Sequence, residues 1–170
     1  KTDPSLVSEA NMADIISFDL ARSGQFDALA PENMLSYPNN RQSVFFRDWR
    51  ILKAGYLVIG NARLSANGRV AVDFELYDVV GERVMVSQRF NVLRTQWRDV
   101  AHRISDIVYE EVTGIRGAFS TKIMYVLAQN AGSPNAVYRL EVADSDGERS
   151  RTLLRSREPI LSANWSPDGK

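Results

Sequence analysis

The chain has 170 residues, enough for one ordinary domain or for a smaller domain with an attachment. With 44% hydrophobic and 25% charged residues it has the composition of a folded globular chain, not of a disordered one. Basic and acidic residues balance at 21 each and neither half carries a polybasic stripe, which argues against a nucleic-acid or anionic-lipid partner, while the lack of cysteine excludes disulfides, thiol catalysis and thiolate metal sites.

Asp3-Pro4 reads as a helix N-cap followed by proline at the first helical position. Met12, Ile15, Ile16 and Leu20 recur at helical spacing, and Ser23-Gly24 supplies a stop. Phe26 to Pro38 reads as a connection with a short helical turn after Pro31. The next pattern predicts a helix from about Gln42 to Lys53, with Phe45, Trp49 and Leu52 on one face and Gly55 ending it.

Tyr56-Leu57-Val58-Ile59 is a continuous apolar run, as in a strand covered on both faces. Asn67-Gly68 is a strong hairpin signal, because both residues tolerate positive φ. Beyond it Val70, Val72, Phe74 and Leu76 alternate with Ala71, Asp73, Glu75 and Tyr77, a period of two that gives one packed face. After a turn near Gly81, Val84, Val86 and Phe90 are expected to share a face. A long helix follows from about Arg94 to Thr113, with Trp97, Ala101, Ile104, Val108 and Val112 as its buried stripe and Gly114 as its cap.

The pattern changes at Gly114–Phe119. Three short strand candidates follow without a helix, at Thr121–Gln129, Val137–Ala143 and Arg151–Arg155, with a tight turn at Asp144-Ser145-Asp146-Gly147. Together they read as one propeller blade, which cannot bury both of its faces alone. The expected division is residues 1–118 and 119–170. No apolar run reaches the roughly 20 residues that span a bilayer. The chain begins without Met or a signal peptide, so a processed or trimmed product is expected.

Several constellations offer chemistry. Asp99, His102 and Asp106 share a helical face and supply metal-ligand types, but the face lies opposite the apolar stripe and a solvated, ion-paired surface is expected. Ser105 beside His102 and Asp106 has hydrolase-triad residue types, yet one helical turn cannot align nucleophile, base and acid. Asp144-x-Asp146-Gly147 resembles the start of a calcium loop, but Arg155 stands where the closing Glu belongs, so a plain turn is expected. Glu110 and Glu111 are adjacent and diverge on a helix, which does not make a glycosidase pair. Trp49, Trp97 and Trp165 are expected in cores and not as stacking platforms.

Two segments carry a family resemblance. Thr113-Gly114-Ile115-Arg116-Gly117-Ala118-Phe119-Ser120-Thr121-Lys122-Ile123-Met124-Tyr125-Val126 is similar to the interdomain junction of the TolB family, a component of the Tol–Pal envelope system. Ser156-Arg157-Glu158-Pro159-Ile160-Leu161-Ser162 with Trp165-Ser166-Pro167-Asp168-Gly169-Lys170 resembles that family's lead into its next blade. Phe46-Arg47-Asp48-Trp49 and Gly55–Gly60 also fit its amino-terminal domain.

The resemblance implies a two-layer α/β domain, with a mixed sheet and helices on one side, akin to the anticodon-binding domain of some tRNA synthetases. The start of a six-bladed β-propeller follows it. It further implies a monomeric, non-enzymatic periplasmic protein without a cofactor, catalytic residue or metal. Its implied partners are the lipoprotein Pal, TolA and some bacteriocins, in outer-membrane integrity and cell division. The family's first strand and TolA-contacting tail are expected before Lys1, and most Pal contacts beyond Lys170, so no binding residue is assigned. The alternatives are an RNA-binding module, by fold analogy alone, and a fragment of a propeller hydrolase.

Overall fold

The computed structural model describes residues 12–65 and 67–167. The chain divides into two compact units, Lys1–Gly117 and Ala118–Lys170. The first contains α1 (Met12–Arg22), α2 (Phe46–Ile51), β1 (Tyr56–Leu64), β2 (Arg69–Asp78), β3 (Arg83–Leu93) and α3 (Trp97–Thr113). The second contains β4 (Lys122–Gln129), β5 (Val137–Asp144) and β6 (Arg151–Ser156). Asp3-Pro4 and Asp168-Gly169-Lys170 lie outside the described residues.

In the first unit the strands are ordered β1-β2-β3 and every described pairing is antiparallel, so the sheet is not mixed over this span. Asn67-Gly68 closes the first hairpin as expected: Gly68 takes φ +75°, and the Asn67 side chain accepts a hydrogen bond from the Arg69 amide at 3.1 Å. Val70, Val72, Phe74 and Leu76 all point to the buried face, and Phe74 stacks on Phe90 of β3 at 6.1 Å between ring centroids. Val84 departs from its expected partners. A bulge between Leu76 and Tyr77 places Val86 opposite Leu76 but Val84 opposite Tyr77, so Val84 turns to the other face.

That other face has its own small core, in which Trp49, Leu57, Ile59, Tyr77 and Val79 are buried against Phe46, Leu52 and Val84. The α2 helix therefore covers one end of the face opposite Val70–Leu76, where helices on a single side were expected. It also explains Tyr56–Ile59: Leu57 and Ile59 are buried beneath α2 while Val58 is half-buried on the reverse, even though β1 is an edge among the described strands.

The expected Gln42–Lys53 helix is split into a 3-10 turn, Arg41–Ser43, and α2, with Val44 and Phe45 extended between them. Phe45 is consequently 62% exposed and off the buried face, whereas Trp49 is 3% exposed. The helix ends at Ile51 with Leu52 as its C-cap, and Lys53, not Gly55, takes the left-handed position that follows. Lys53 takes φ +58°, its amide donates to the Arg50 carbonyl, and the Ala54 amide donates to the Trp49 carbonyl at 3.0 Å. Those two bonds make a Schellman motif with lysine in the position that favours glycine.

The α1 helix buries Met12, Ile15, Ile16 and Leu20 as its spacing predicts, and packs on α3, which also contacts β3. Gly114 caps α3 at φ +73° and donates to the Glu110 carbonyl at 2.8 Å. In the second unit the strands β4-β5-β6 form a separate antiparallel sheet, as expected of a blade. No helix among the described residues is long and apolar enough to cross a membrane.

Candidate protein-binding surface

The hydrophilic residues of β2 fall on one side of the sheet because the strand alternates, and they pair across to β3. Asp73 lies opposite Arg89 and holds it through two contacts, one from Nη2 to Oδ2 at 3.1 Å. This bond and the Asp73 charge raise the Arg89 pKa further above its already high value. Glu75 lies opposite Ser87 and accepts from its hydroxyl at 3.4 Å and from the Tyr77 hydroxyl. Burial first, then the Glu75 carboxylate, pushes the Tyr77 phenol well above its usual range, and Arg41 pulls the other way.

The loop Asn39–Gln42 rises over this polar patch and leaves a groove of about 510 Å³. Its position follows from local chemistry: the Asn40 side chain accepts from the Ser43 amide at 3.1 Å, capping the 3-10 turn, and the Asn61 side-chain amide reaches the Asn39 carbonyl at 3.4 Å. The groove is an open, polar surface bearing both signs of charge, chemistry suited to recognising another polar chain.

The constellations singled out in the sequence are arranged otherwise than expected. His102 and Asp106 do not belong to a solvated face: they are 2% and 3% exposed, and Ser105 is fully buried. His102 Nδ1 lies 2.7 Å from Asp19 Oδ2 of α1, and Asp19 is itself fully buried. Asp99 is exposed. The physical reason is that α1 and α3 pack together, so α3 is covered on a wider arc than one stripe. Ser105 donates to the Ala101 carbonyl at 3.1 Å, an ordinary helical back-bond. Glu110 and Glu111 are exposed.

The Asp144–Gly147 segment is a hairpin turn: the Gly147 amide donates to the Asp144 carbonyl at 2.9 Å with Gly147 at φ +89°. The Asp144 carboxylate is buried, which pushes its pKa up, but Arg149 (Nε 2.6 Å from Oδ2) and Lys122 outweigh burial and leave it lowered. Glu141 is likewise lowered, by hydrogen bonds from Ser150 at 2.9 Å and Tyr125 at 3.0 Å, against some desolvation and with help from Arg139. Both carboxylates are thus committed within the sheet. Trp49 is a core residue, Trp97 is half-buried, and Trp165 is 45% exposed in its own unit, outside the expected core role.

Comparison with known proteins identifies the lineage. Residues 3–85 match the family model for the TolB amino-terminal domain, and residues 109–170 match that for the TolB beta propeller domain. The Tol-Pal system protein TolB of Alcanivorax borkumensis is 45% identical over 163 residues, covering 96% of this chain and 37% of that protein. Its counterpart in Marinomonas sp. is 46% identical over 162 residues, covering 94% and 37%. The crystal structure of TolB from Acinetobacter baumannii superposes with a TM-score of 0.84 at 34% identity, over 96% of this chain and 40% of that one. The chain spans 37% of the length of these curated relatives. It belongs to the TolB family, of which it carries the amino-terminal domain and the opening of the propeller.

Proposed function

We propose that this chain is part of a non-enzymatic, periplasmic component of the Tol–Pal system that acts by binding Pal and TolA, in outer-membrane integrity and cell division, and that some bacteriocins exploit. The observation that carries this reading is the continuous correspondence, at 45% identity over 96% of the chain, with a Tol-Pal system protein. The local chemistry is compatible with it. Asp144 and Glu141 are tied up in structural ion pairs and hydrogen bonds, and Ser105 in its own helix, while the sheet face presents a polar groove.

Domain limits of 1–118 for the amino-terminal α/β domain and 119–170 for the opening of a six-bladed propeller are part of the proposal, as is a relay in which the two domains communicate. Relay requires each partner to prefer a different conformation of the whole protein. A pull-down with purified soluble domains of Pal and TolA tests the reading, using the protein carried to the length of its relatives. Retention of both supports it; retention of neither removes it.

A further inference from the structure

The geometry points to Asn67 as a site of spontaneous deamidation, with water as the co-reactant, in a hairpin that keeps its shape when the asparagine becomes aspartate. This goes beyond the Pal and TolA reading and does not depend on it.

Asparagine deamidates when the backbone nitrogen of the following residue attacks its side-chain carbonyl. Here the Gly68 nitrogen would bond to the Asn67 Cγ and give up its proton, the Cγ–Nδ2 bond would break, and ammonia would leave. Water then opens the five-membered imide at either carbonyl, giving aspartate or isoaspartate, with no oxidation or reduction. A side chain on the following residue crowds this attack, and Asn67 is the one asparagine of the chain that precedes glycine.

The turn holds the reacting groups together. Asn67 Oδ1 accepts from the Arg69 amide at 3.1 Å, an Asx turn that folds the side chain back along the Gly68 peptide and polarises the Cγ carbonyl. Asn67 and Gly68 are both exposed, and a Cβ at Gly68 would meet nothing within 4 Å, so water reaches the site. One contact opposes the reaction. The Gly68 amide donates to the Ser65 carbonyl at 2.9 Å and has to release it before attack.

The second unit shows that the product fits, because it contains the same turn with aspartate in place of asparagine. In the first, the Ser65 amide donates to the Arg69 carbonyl at 2.7 Å. In the second, the Asp144 amide donates to the Glu148 carbonyl and the Gly147 amide to the Asp144 carbonyl, both at 2.9 Å. Asp146 Oδ1 accepts from the Glu148 amide at 3.1 Å, as Asn67 Oδ1 does from Arg69. Gly68 and Gly147 are both left-handed, at φ +75° and +89°. Aspartate at position 67 keeps the accepting oxygen and therefore the turn. Its carboxylate lowers the formal net charge of zero by one, two residues from Arg69.

The test is storage of the purified chain in warm, mildly alkaline buffer beside a capped peptide of residues 63–71. Samples are followed by ion exchange and by mass spectrometry of proteolytic fragments. The expected first acidic species carries its mass gain at Asn67, as aspartate plus isoaspartate. It should form no more than about tenfold more slowly than in the peptide, the factor set by opening one amide–carbonyl bond. Asn67→Gln, whose longer side chain closes a ring less readily, should lack this species. Asn67→Asp should co-elute with the aspartyl form and lose less than about 3 °C in Tm, under 1 kcal/mol on a domain of this size. Earlier deamidation at another asparagine, a still slower rate at Asn67, or the same acidic species in Asn67→Gln would each overturn the site. A larger loss of Tm in Asn67→Asp would overturn the tolerance of the product.

Discussion

The Gly114–Gly117 segment contains two glycines that are required for different reasons, and that difference can be measured. A Cβ at Gly117 would lie 2.5 Å from the Asp106 Cα, 2.6 Å from its Oδ1 and 3.0 Å from its Cβ, whereas 3.4–4 Å is ordinary contact. The nearest atom is helix backbone, so the clash cannot be relieved by a rotamer change. Gly117→Ala therefore has to open the contact by about 1 Å, an overpacking that costs about 1–3 kcal/mol. Loss of glycine entropy in the unfolded chain offsets about 0.4–1 kcal/mol of this. The net expectation is a destabilisation of about 1–2 kcal/mol, read as a fall of about 5 °C in Tm by differential scanning calorimetry.

Gly114 offers the internal control. A Cβ there meets nothing within 4 Å, but the residue sits at φ +73°. Gly114→Ala should cost about 1 kcal/mol through backbone strain, and Gly114→Asn should recover much of it, because asparagine tolerates the left-handed region. At Gly117 asparagine should be no better than alanine. An unchanged or raised Tm in Gly117→Ala would refute the close approach to α3.

Asp19→Ala should destabilise the first unit by about 2 kcal/mol or more in urea unfolding, because it strips a fully buried His102 of its 2.7 Å partner; a loss below about 0.5 kcal/mol would contradict that role. Lys53→Gly should stabilise by about 1 kcal/mol, since lysine now occupies the left-handed position of the Schellman motif at φ +58°; a lower Tm would show that its side chain contributes more than the strain removes. Glu141 and Asp144 have lowered native pKa values, so their stabilisation is present above the unfolded carboxylate value of roughly 4 and is lost as pH falls through the native values. Replacing both Lys122 and Arg149 with methionine should raise the pH midpoint of acid unfolding followed by circular dichroism, and an unchanged midpoint would show that the pairs contribute nothing.

Much of the fold was legible because the decisive signals are local. The two-residue period of Val70–Leu76, the Asn67-Gly68 turn and the Gly114 cap each depend on neighbours in sequence, and each is found where the pattern puts it. What escaped depends on contacts distant in sequence. The partner of His102 is Asp19, 83 residues away on another helix, and no spacing rule on α3 could name it. Period-two spacing puts Val84 on the wrong face because a bulge shifts register without a glycine or proline to announce it. The break in the Gln42–Lys53 helix has a similar cause. Val44 and Phe45 fit a helical period, but Asn40 caps a short turn and Trp49 with Phe46 anchors a second one. Asp73 and Glu75 were visible as the polar side of a strand, but the groove above them required the loop at Asn39–Gln42 to be placed.

The most direct measurement of the account is a calorimetric titration of the soluble domain of Pal into the protein carried to the length of its relatives, with and without the soluble domain of TolA. The proposed function predicts saturable one-to-one binding of Pal, with an affinity that changes when TolA is present. Absence of saturable Pal binding would contradict the proposed function; binding indifferent to TolA would retain the partner and remove the relay.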